Sequence, residues 1–221
     1  TLFICLFCIQ ISLNAQKYKR QDTIRGSITS ERSWWDLTYY NLEVSVDPKL
    51  KTINGKNSIY YKVLKTNKVM QIDLQPPMRL TKAIQSGTRL KISQYGNAHY
   101  IHLEKPQIKH NVDSLTVFFE GTPRQAVRPP WDGGFSWEKD KNGTDFIATT
   151  CQGIGASVWW PNKDHSYDEV DSMKIRINVP KHLVAVSNGR LIHTSQSDKN
   201  NSYTWFVSNP INNYSVNAVS Y

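Results

Sequence analysis

Alternating apolar and polar residues constrain the fold of this chain more than any other feature of its sequence. Leu42, Val44 and Val46 alternate with polar residues, and Ile59 and Tyr61 repeat the pattern further along. Successive side chains of a strand point to opposite faces of a sheet, so a period of two predicts strands that are buried on one face. No segment beyond residue 15 shows a helical period. The pattern therefore predicts strands in nearly all of the chain.

Turn-forming residues divide the alternating segments at intervals of roughly 8–12 residues. Asn188-Gly189 is one such turn, and a last strand is predicted over residues 214–219. Many short strands at this spacing are typical of all-β sandwiches. We predict an all-β fold, a large twisted β-sandwich or saddle-shaped sheet assembly, over residues 34–221. Because the sequence stops in an apparent strand, we expect it to be a fragment of a longer protein.

The first 33 residues differ from the rest. Residues 2–13 are apolar and are followed by Asn14-Ala15, which is typical of a secretory signal peptide cleaved after Ala15. The apolar run is shorter than the about 20 residues that a membrane span needs. We predict a signal peptide with a truncated start over residues 1–15, a polar and extended linker arm over residues 16–33, and an exported protein, periplasmic or secreted.

Charge and cysteine content argue against nucleic-acid binding and against a disulfide-bonded fold. The formal net charge is +9, from 27 Lys and Arg against 18 Asp and Glu. The basic residues are dispersed, with no run of five, so we expect no nucleic-acid partner. Cys5 and Cys8 lie within the predicted signal peptide, which leaves Cys151 alone in the exported chain and excludes an intramolecular disulfide.

Residues 150–171 are the one segment that ordinary strands and turns do not explain. Small residues there allow a close approach of the backbone, and two tryptophans and several charged residues follow. The acidic residues lack the spacing of a calcium loop, so a hydrogen-bonded loop is predicted in preference to a metal site. Cys151 has no base that the sequence places beside it, and we predict a buried thiol.

Histidines offer no better metal site. His99 and His102 are three residues apart in a predicted strand, so their side chains face opposite ways and structural roles are expected for both. The H-E-x-x-H pattern, which places two imidazoles on one face of a helix, does not occur. The sequence thus predicts no catalytic residue and no metal ligand of its own.

Four segments resemble a known family. They are FFEG at 118–121, PPWDGGFSW at 129–137, TCQGIGASVWWPNKD at 150–164 and VPKHLVAVSNGRL at 179–191. Together they resemble the N-terminal domain of the aminopeptidase N family, which are zinc metallopeptidases of the gluzincin type, over roughly residues 34–221. Two positions depart from the family pattern, with Asn162 where a Cys is frequent and Val170 where a Pro is frequent.

The resemblance implies a role for Gln152. In the family, the residue at this position reaches towards the catalytic domain and helps to hold the free α-amino group of the substrate. It also implies that the peptide N-terminus and a missing C-terminal catalytic domain are partners, and that zinc is bound in the full-length enzyme but not by this fragment. Two alternatives remain open, a non-catalytic homologue that binds peptides and a secreted β-sandwich that binds carbohydrate through exposed Trp and Tyr.

Overall fold

Strands are the main secondary structure of the described residues, as predicted. The computed structural model describes residues 19–151 and 153–221. Within these ranges the helices are α1 Arg20–Gly26 and α2 Ser30–Ser33, and the strands are β1 Trp35–Asp47, β2 Thr52–Val63, β3 Asn67–Asp73, β4 Arg79–Gln85, β5 Thr88–Arg89, β6 Lys91–Tyr95, β7 Ala98–Gln107, β8 Val112–Gly121, β9 Gly134–Lys139, β10 Asp145–Thr150, β11 Ser172–Pro180, β12 Ala185–Val186, β13 Arg190–Gln196, β14 Asn200–Val207 and β15 Val219–Ser220.

The largest sheet has eight strands in the order β13-β14-β11-β1-β2-β8-β4-β5. Strand β1 lies inside this sheet, where it pairs antiparallel with β2 and parallel with β11. Its residues alternate between buried and partly exposed except near Thr38, where a bulge shifts the register between Leu37 and Tyr39. The alternation therefore directs one face of the large sheet into the core and the other outward.

Two smaller sheets, β12-β15-β10-β9 and β3-β7-β6, accompany the large one. Trp159 and Trp160 are both fully buried in the same hydrophobic core as residues of all three sheets. The ring of Trp160 packs edge-on against the ring of Tyr40 on β1, with 5.2 Å between the ring centroids. The ring of Trp159 packs in the same way against Phe135 on β9, with 5.9 Å between the centroids. The sheet assembly is thus an all-β fold with the tryptophans of residues 150–171 at its centre, and the predicted fold class is confirmed.

The arm before the sheets is not extended. Residues 16–33 were predicted as an extended arm, but α1 and α2 occupy much of the described part of that range. Arg32 is fully buried, and one of its guanidinium nitrogens donates to the Ile24 and Ser27 carbonyls at 2.8 and 2.9 Å. Helices this short bury no continuous stripe, so the sequence carries no helical period there. The prediction of an extended conformation is wrong for this reason.

The predicted strand at residues 214–219 is also wrong in most of its length. Residues 213–215 form a 3₁₀ turn, and the strand is limited to Val219 and Ser220. The buried amide of Asn213 donates to the Lys163 carbonyl at 2.8 Å and to Asn162 Oδ1 at 3.1 Å. These long-range hydrogen bonds hold the backbone in a turn, although the local pattern favours a strand.

The lengths of the helices show whether any of them could cross a membrane. Among the helices of the described residues, none is both long and apolar enough to pass through a bilayer. The signal peptide predicted over residues 1–15 lies outside the described residues.

Candidate functional site

An open cleft of about 520 Å³ lies beside the turn at residues 153–155. Its walls include Arg25 from α1, Gly153 and Gly155 from the turn, and His165 and Tyr214. Described residues of the 150–171 segment thus form one wall, and the N-terminal arm forms another. The site residue predicted from the resemblance, Gln152, lies outside the described residues.

Glycine is favoured at two positions of the turn, at Gly153 by its backbone conformation and at Gly155 also by a close approach to Asp164. Gly153 and Gly155 have φ values of +79° and +84°, a conformation that favours glycine. A Cβ atom on Gly155 would lie 2.2 Å from Asp164 Oδ2. The Cys151 carbonyl accepts from the backbone N–H of Gly155 at 2.9 Å and closes the turn. The small residues allow the close approach that the sequence predicted.

Asp164 closes the loop that follows the turn. Its Oδ2 atom accepts from the backbone N–H and from the hydroxyl of Ser157, at 3.1 and 2.5 Å. Its own backbone N–H donates to Asp73 Oδ2 at 3.2 Å. This carboxylate is therefore used for hydrogen bonds within the loop, as the sequence analysis predicted.

Lys163 and Asp168 form a buried ion pair behind the cleft. The Lys163 ammonium also donates to the Trp35 carbonyl at 2.6 Å and lies 4.0 Å from the centre of the Trp35 ring. Burial lowers the pKa of Lys163 to about 8, and the Asp168 carboxylate opposes that shift. The pair fixes the loop to the start of β1, so it supports the cleft wall from inside.

The two positions that depart from the family pattern fit this structure. Asn162 is fully buried, and its backbone exchanges two hydrogen bonds with Asp73, at 2.9 and 3.2 Å. Its side-chain amide donates to the Trp160 carbonyl at 2.8 Å. Val170 is buried and forms an isolated bridge with Ile211. Both departures therefore keep the loop anchored.

Cys151 is a buried thiol, as predicted, with 3% of its surface exposed. Burial raises the pKa of Cys151 to about 12, so the thiol stays protonated at neutral pH. The thiolate is the nucleophilic form of cysteine. Cys151 is therefore a packing residue next to the cleft.

His99 and His102 face opposite sides of β7, as predicted. His99 is buried, whereas His102 is partly exposed and hydrogen-bonded to Ser93 Oγ at 2.7 Å. Burial lowers the pKa of His99 from 6.5 to about 4, against a smaller opposing contribution from a hydrogen bond with the Asn97 backbone. The imidazole of His99 is therefore neutral at pH 7 and belongs to the core.

This burial predicts a loss of stability in acid. Unfolded chains protonate His99 near pH 6.5 and the folded chain near pH 4, so the free energy of unfolding falls as the pH is lowered between those values. We expect this group to contribute a loss on the order of 3 kcal/mol. Urea unfolding at pH 7.5 and 4.5 measures it. The His99→Gln variant should lose less stability over this interval, and an equal loss in both proteins contradicts the prediction.

Metal ligands do not converge in the described part of the chain. Over residues 19–151 and 153–221, no three His, Cys, Asp or Glu side chains lie close enough together to hold a metal ion. His182 lies 3.6 Å from Asp145, but that pair has Lys139 as its other neighbour. These ranges thus give a metal ion no set of side-chain ligands.

The sequence pattern does not indicate that the arm forms a wall of the cleft. Arg25 Nη2 donates to the Gly153 carbonyl at 3.3 Å, and His165 Nε2 lies 3.3 Å from the Gly26 carbonyl. These partners are more than a hundred residues apart in the chain, and nothing in the local pattern of residues 19–33 indicates the contact. Only the fold brings the arm to the turn.

Comparison with known proteins identifies the family of this chain. Residues 37–214 match the model of the Peptidase M1 N-terminal domain. An M1 zinc metallopeptidase from Deinococcus radiodurans superposes with a TM-score of 0.73 and 18% identity, over 89% of this chain and 44% of that chain. A variant of that enzyme bound to a Tyr-Ser-Ala substrate gives the same values. A two-domain M1 zinc metallopeptidase variant bound to L-arginine gives 0.71 and 19%, over 86% and 42%.

Identity this low shows the shared fold alone, and the chain spans less than half the length of these solved structures. No curated protein sequence matches the chain significantly. The family model nevertheless extends from within β1 to the 3₁₀ turn before β15, which is most of the chain. This chain therefore belongs to the M1 peptidase family and contains that family's N-terminal domain.

Proposed function

We propose that this chain supplies the N-terminal side of the peptide-binding cleft in an exported zinc metallo-aminopeptidase, which removes N-terminal residues from peptides. The observation that carries the proposal is the open cleft of about 520 Å³ beside the 153–155 turn, in a chain of the M1 peptidase family. The apolar run at residues 2–13 supports export. Two M1 structures of the same fold are bound to a tripeptide substrate and to an amino acid.

Zinc does not fit the described residues of this chain, since they offer no cluster of three ligands. We therefore assign the zinc, with the polarisation of the scissile carbonyl and the activation of water that it supplies, to a catalytic domain that follows in the full-length protein. What this chain contributes is binding and orientation. In that role the cleft holds the chain end of a peptide in place for a reaction carried out by other residues.

Gln152 is the residue proposed to hold the chain end. The side-chain amide oxygen of a glutamine accepts hydrogen bonds, and the α-ammonium group of a peptide donates them. Gln152 follows Cys151, which is anchored by burial, and precedes Gly153, which lines the cleft. Fixing the α-ammonium at one place restricts cleavage to the N-terminal residue, which is the selectivity of an aminopeptidase.

Gln152→Ala in the full-length protein tests the proposal. We expect kcat/KM for a tripeptide with a free N-terminus to fall roughly 10- to 100-fold, because a hydrogen bond to a charged group is worth about 1.5–3 kcal/mol. The melting temperature should stay close to that of the wild type. Steady-state kinetics with one tripeptide, together with a thermal unfolding curve, measure both quantities.

Two control variants are needed to interpret this experiment. Gln152→Glu keeps an acceptor and should retain most of the activity, whereas Gln196→Ala changes the same residue type on the exposed edge strand β13 and should change nothing. Equal activity of Gln152→Ala and wild type removes Gln152 from the site. A full-length protein that binds the tripeptide but does not cleave it with zinc present is instead a non-catalytic homologue.

A further inference from the structure

Trp131 is the most exposed large hydrophobic residue among those the structure describes, with 88% of its surface open to solvent. It lies in the loop at residues 122–133, between β8 and β9, and Val127 in the same loop is 80% exposed. Both tryptophans of residues 150–171 are buried, so Trp131 differs sharply from them. Tryptophan is enriched at binding interfaces, where its ring offers a large apolar surface.

Hydrogen bonds hold this loop in one shape. The Asp132 carboxylate accepts from the backbone N–H groups of Val127 and Arg128, each at 2.6 Å. The backbone N–H of Trp131 donates to the Arg128 carbonyl at 2.9 Å. The hydrogen bonds with the backbone lower the pKa of Asp132, so the carboxylate stays ionised. The loop therefore presents Trp131 on a preorganised turn, which reduces the entropy that binding would cost.

The same loop is joined to the turn beside the cleft. The hydroxyl of Thr150 donates to the Asp132 carbonyl at 3.0 Å. Gly133 lies so close to Ile154 that a Cβ atom on it would be 2.0 Å from the Ile154 side chain. The Ile154 N–H in turn donates to the Cys151 carbonyl at 3.2 Å. Trp131 thus lies two residues before Gly133, which packs closely against Ile154 in the turn beside the cleft.

From this geometry we propose that Trp131 determines specificity by packing against an aromatic or apolar side chain of the peptide bound in the cleft. The inference rests on the proposed function, since it needs a peptide at that site. One tryptophan offers area for a single side chain, about 150–250 Å². A stable interface between two proteins buries about 800 Å² on each partner, and the charged residues Arg124 and Arg128 flank the apolar residues here. A peptide side chain is therefore the occupant that fits.

The test uses the full-length protein and four tripeptides, Gly-Gly-Gly and the three that carry one Phe at the first, second or third position. We expect Trp131→Ala to lower kcat/KM about tenfold for at least one Phe peptide, as loss of an aromatic contact predicts, and to leave Gly-Gly-Gly nearly unchanged. Trp131→Phe should restore most of the loss. Ile192→Ala, a 52% exposed residue on the edge strand β13, is the matched control and should affect no substrate.

Two outcomes overturn the proposal. An equal loss on all four tripeptides, with a lower melting temperature, shows that Trp131 contacts the rest of the protein instead of the substrate. No loss on any tripeptide shows that the exposed side chain binds none of them. If the wild type cleaves none of the four, the proposed activity fails on its own, and calorimetric titration with the same tripeptides decides about Trp131. Tighter binding of a Phe peptide that Trp131→Ala abolishes supports the contact, and equal affinities reject it.

Discussion

Replacing Arg32 by methionine is expected to lower the free energy of unfolding by about 3–5 kcal/mol, as removal of one partner of a buried ion pair does. Arg32 Nη2 lies 2.6 Å from Asp73 Oδ2, and both side chains are buried. Burial raises the pKa of Asp73, and the guanidinium is the main group that opposes this shift. Without Arg32 the carboxylate stays buried, and its hydrogen-bond partners among the described residues are the Gln71 amide and the Asp164 N–H. Urea unfolding at neutral pH measures the loss.

A surface ion pair provides the matched control. Arg79 lies 2.8 Å from Glu120, but both side chains are largely exposed, so Arg79→Met should cost at most about 1 kcal/mol. Arg32 also donates to backbone carbonyls at the end of α1, so hydrogen exchange at residues 20–26 should become faster in Arg32→Met alone. Equal losses in the two variants would contradict the assignment of Arg32 as the residue that anchors the arm.

The same contact explains why the sequence predicted the sheets better than the arm. Strands such as β1 and β11 depend on an alternation that is read locally, and the structure confirms them. The fold of the arm depends on Arg32 and its partner Asp73, which is 41 residues away. An isolated arginine in a polar segment carries no sign that it will be buried, because its partner is chosen by the tertiary structure.

In the candidate site, too, some features were predictable from the sequence and others were not. The small residues at 153–157 predicted a close approach of the backbone, and the 2.2 Å that would separate a Gly155 Cβ from Asp164 Oδ2 confirms it. Neither the partner of that approach nor the wall formed by Arg25 was predictable, because both contacts depend on how separate segments pack. The role of Gln152 was implied by resemblance alone. The sequence shows that residue 131 is a tryptophan, but it does not predict that the Trp131 side chain is exposed.

Lys163→Met is the second variant from which we expect a loss of about 3–5 kcal/mol. The Lys163 side chain is fully buried, and Asp168, its partner, has only 9% of its side chain exposed. After the change, the Asp168 carboxylate still accepts a hydrogen bond from the Leu37 N–H at 3.2 Å but loses its counterion. The Trp35 carbonyl loses a donor at the same time. Chemical unfolding of the variant and of the wild type at pH 7 measures the difference.

Two further variants separate the charge from the shape of the side chain. Lys56→Met removes a partly exposed lysine that lies 3.4 Å from Glu43, and it should cost far less. Lys163→Met combined with Asp168→Leu removes both buried charges and should recover much of the loss, since apolar pairs of similar volume frequently replace buried ion pairs without penalty. If the double variant is no more stable than Lys163→Met, the loss comes from packing around Trp35. If it recovers, an uncompensated carboxylate behind the cleft is the cause, and the ion pair holds residues 163–168 in place by charge.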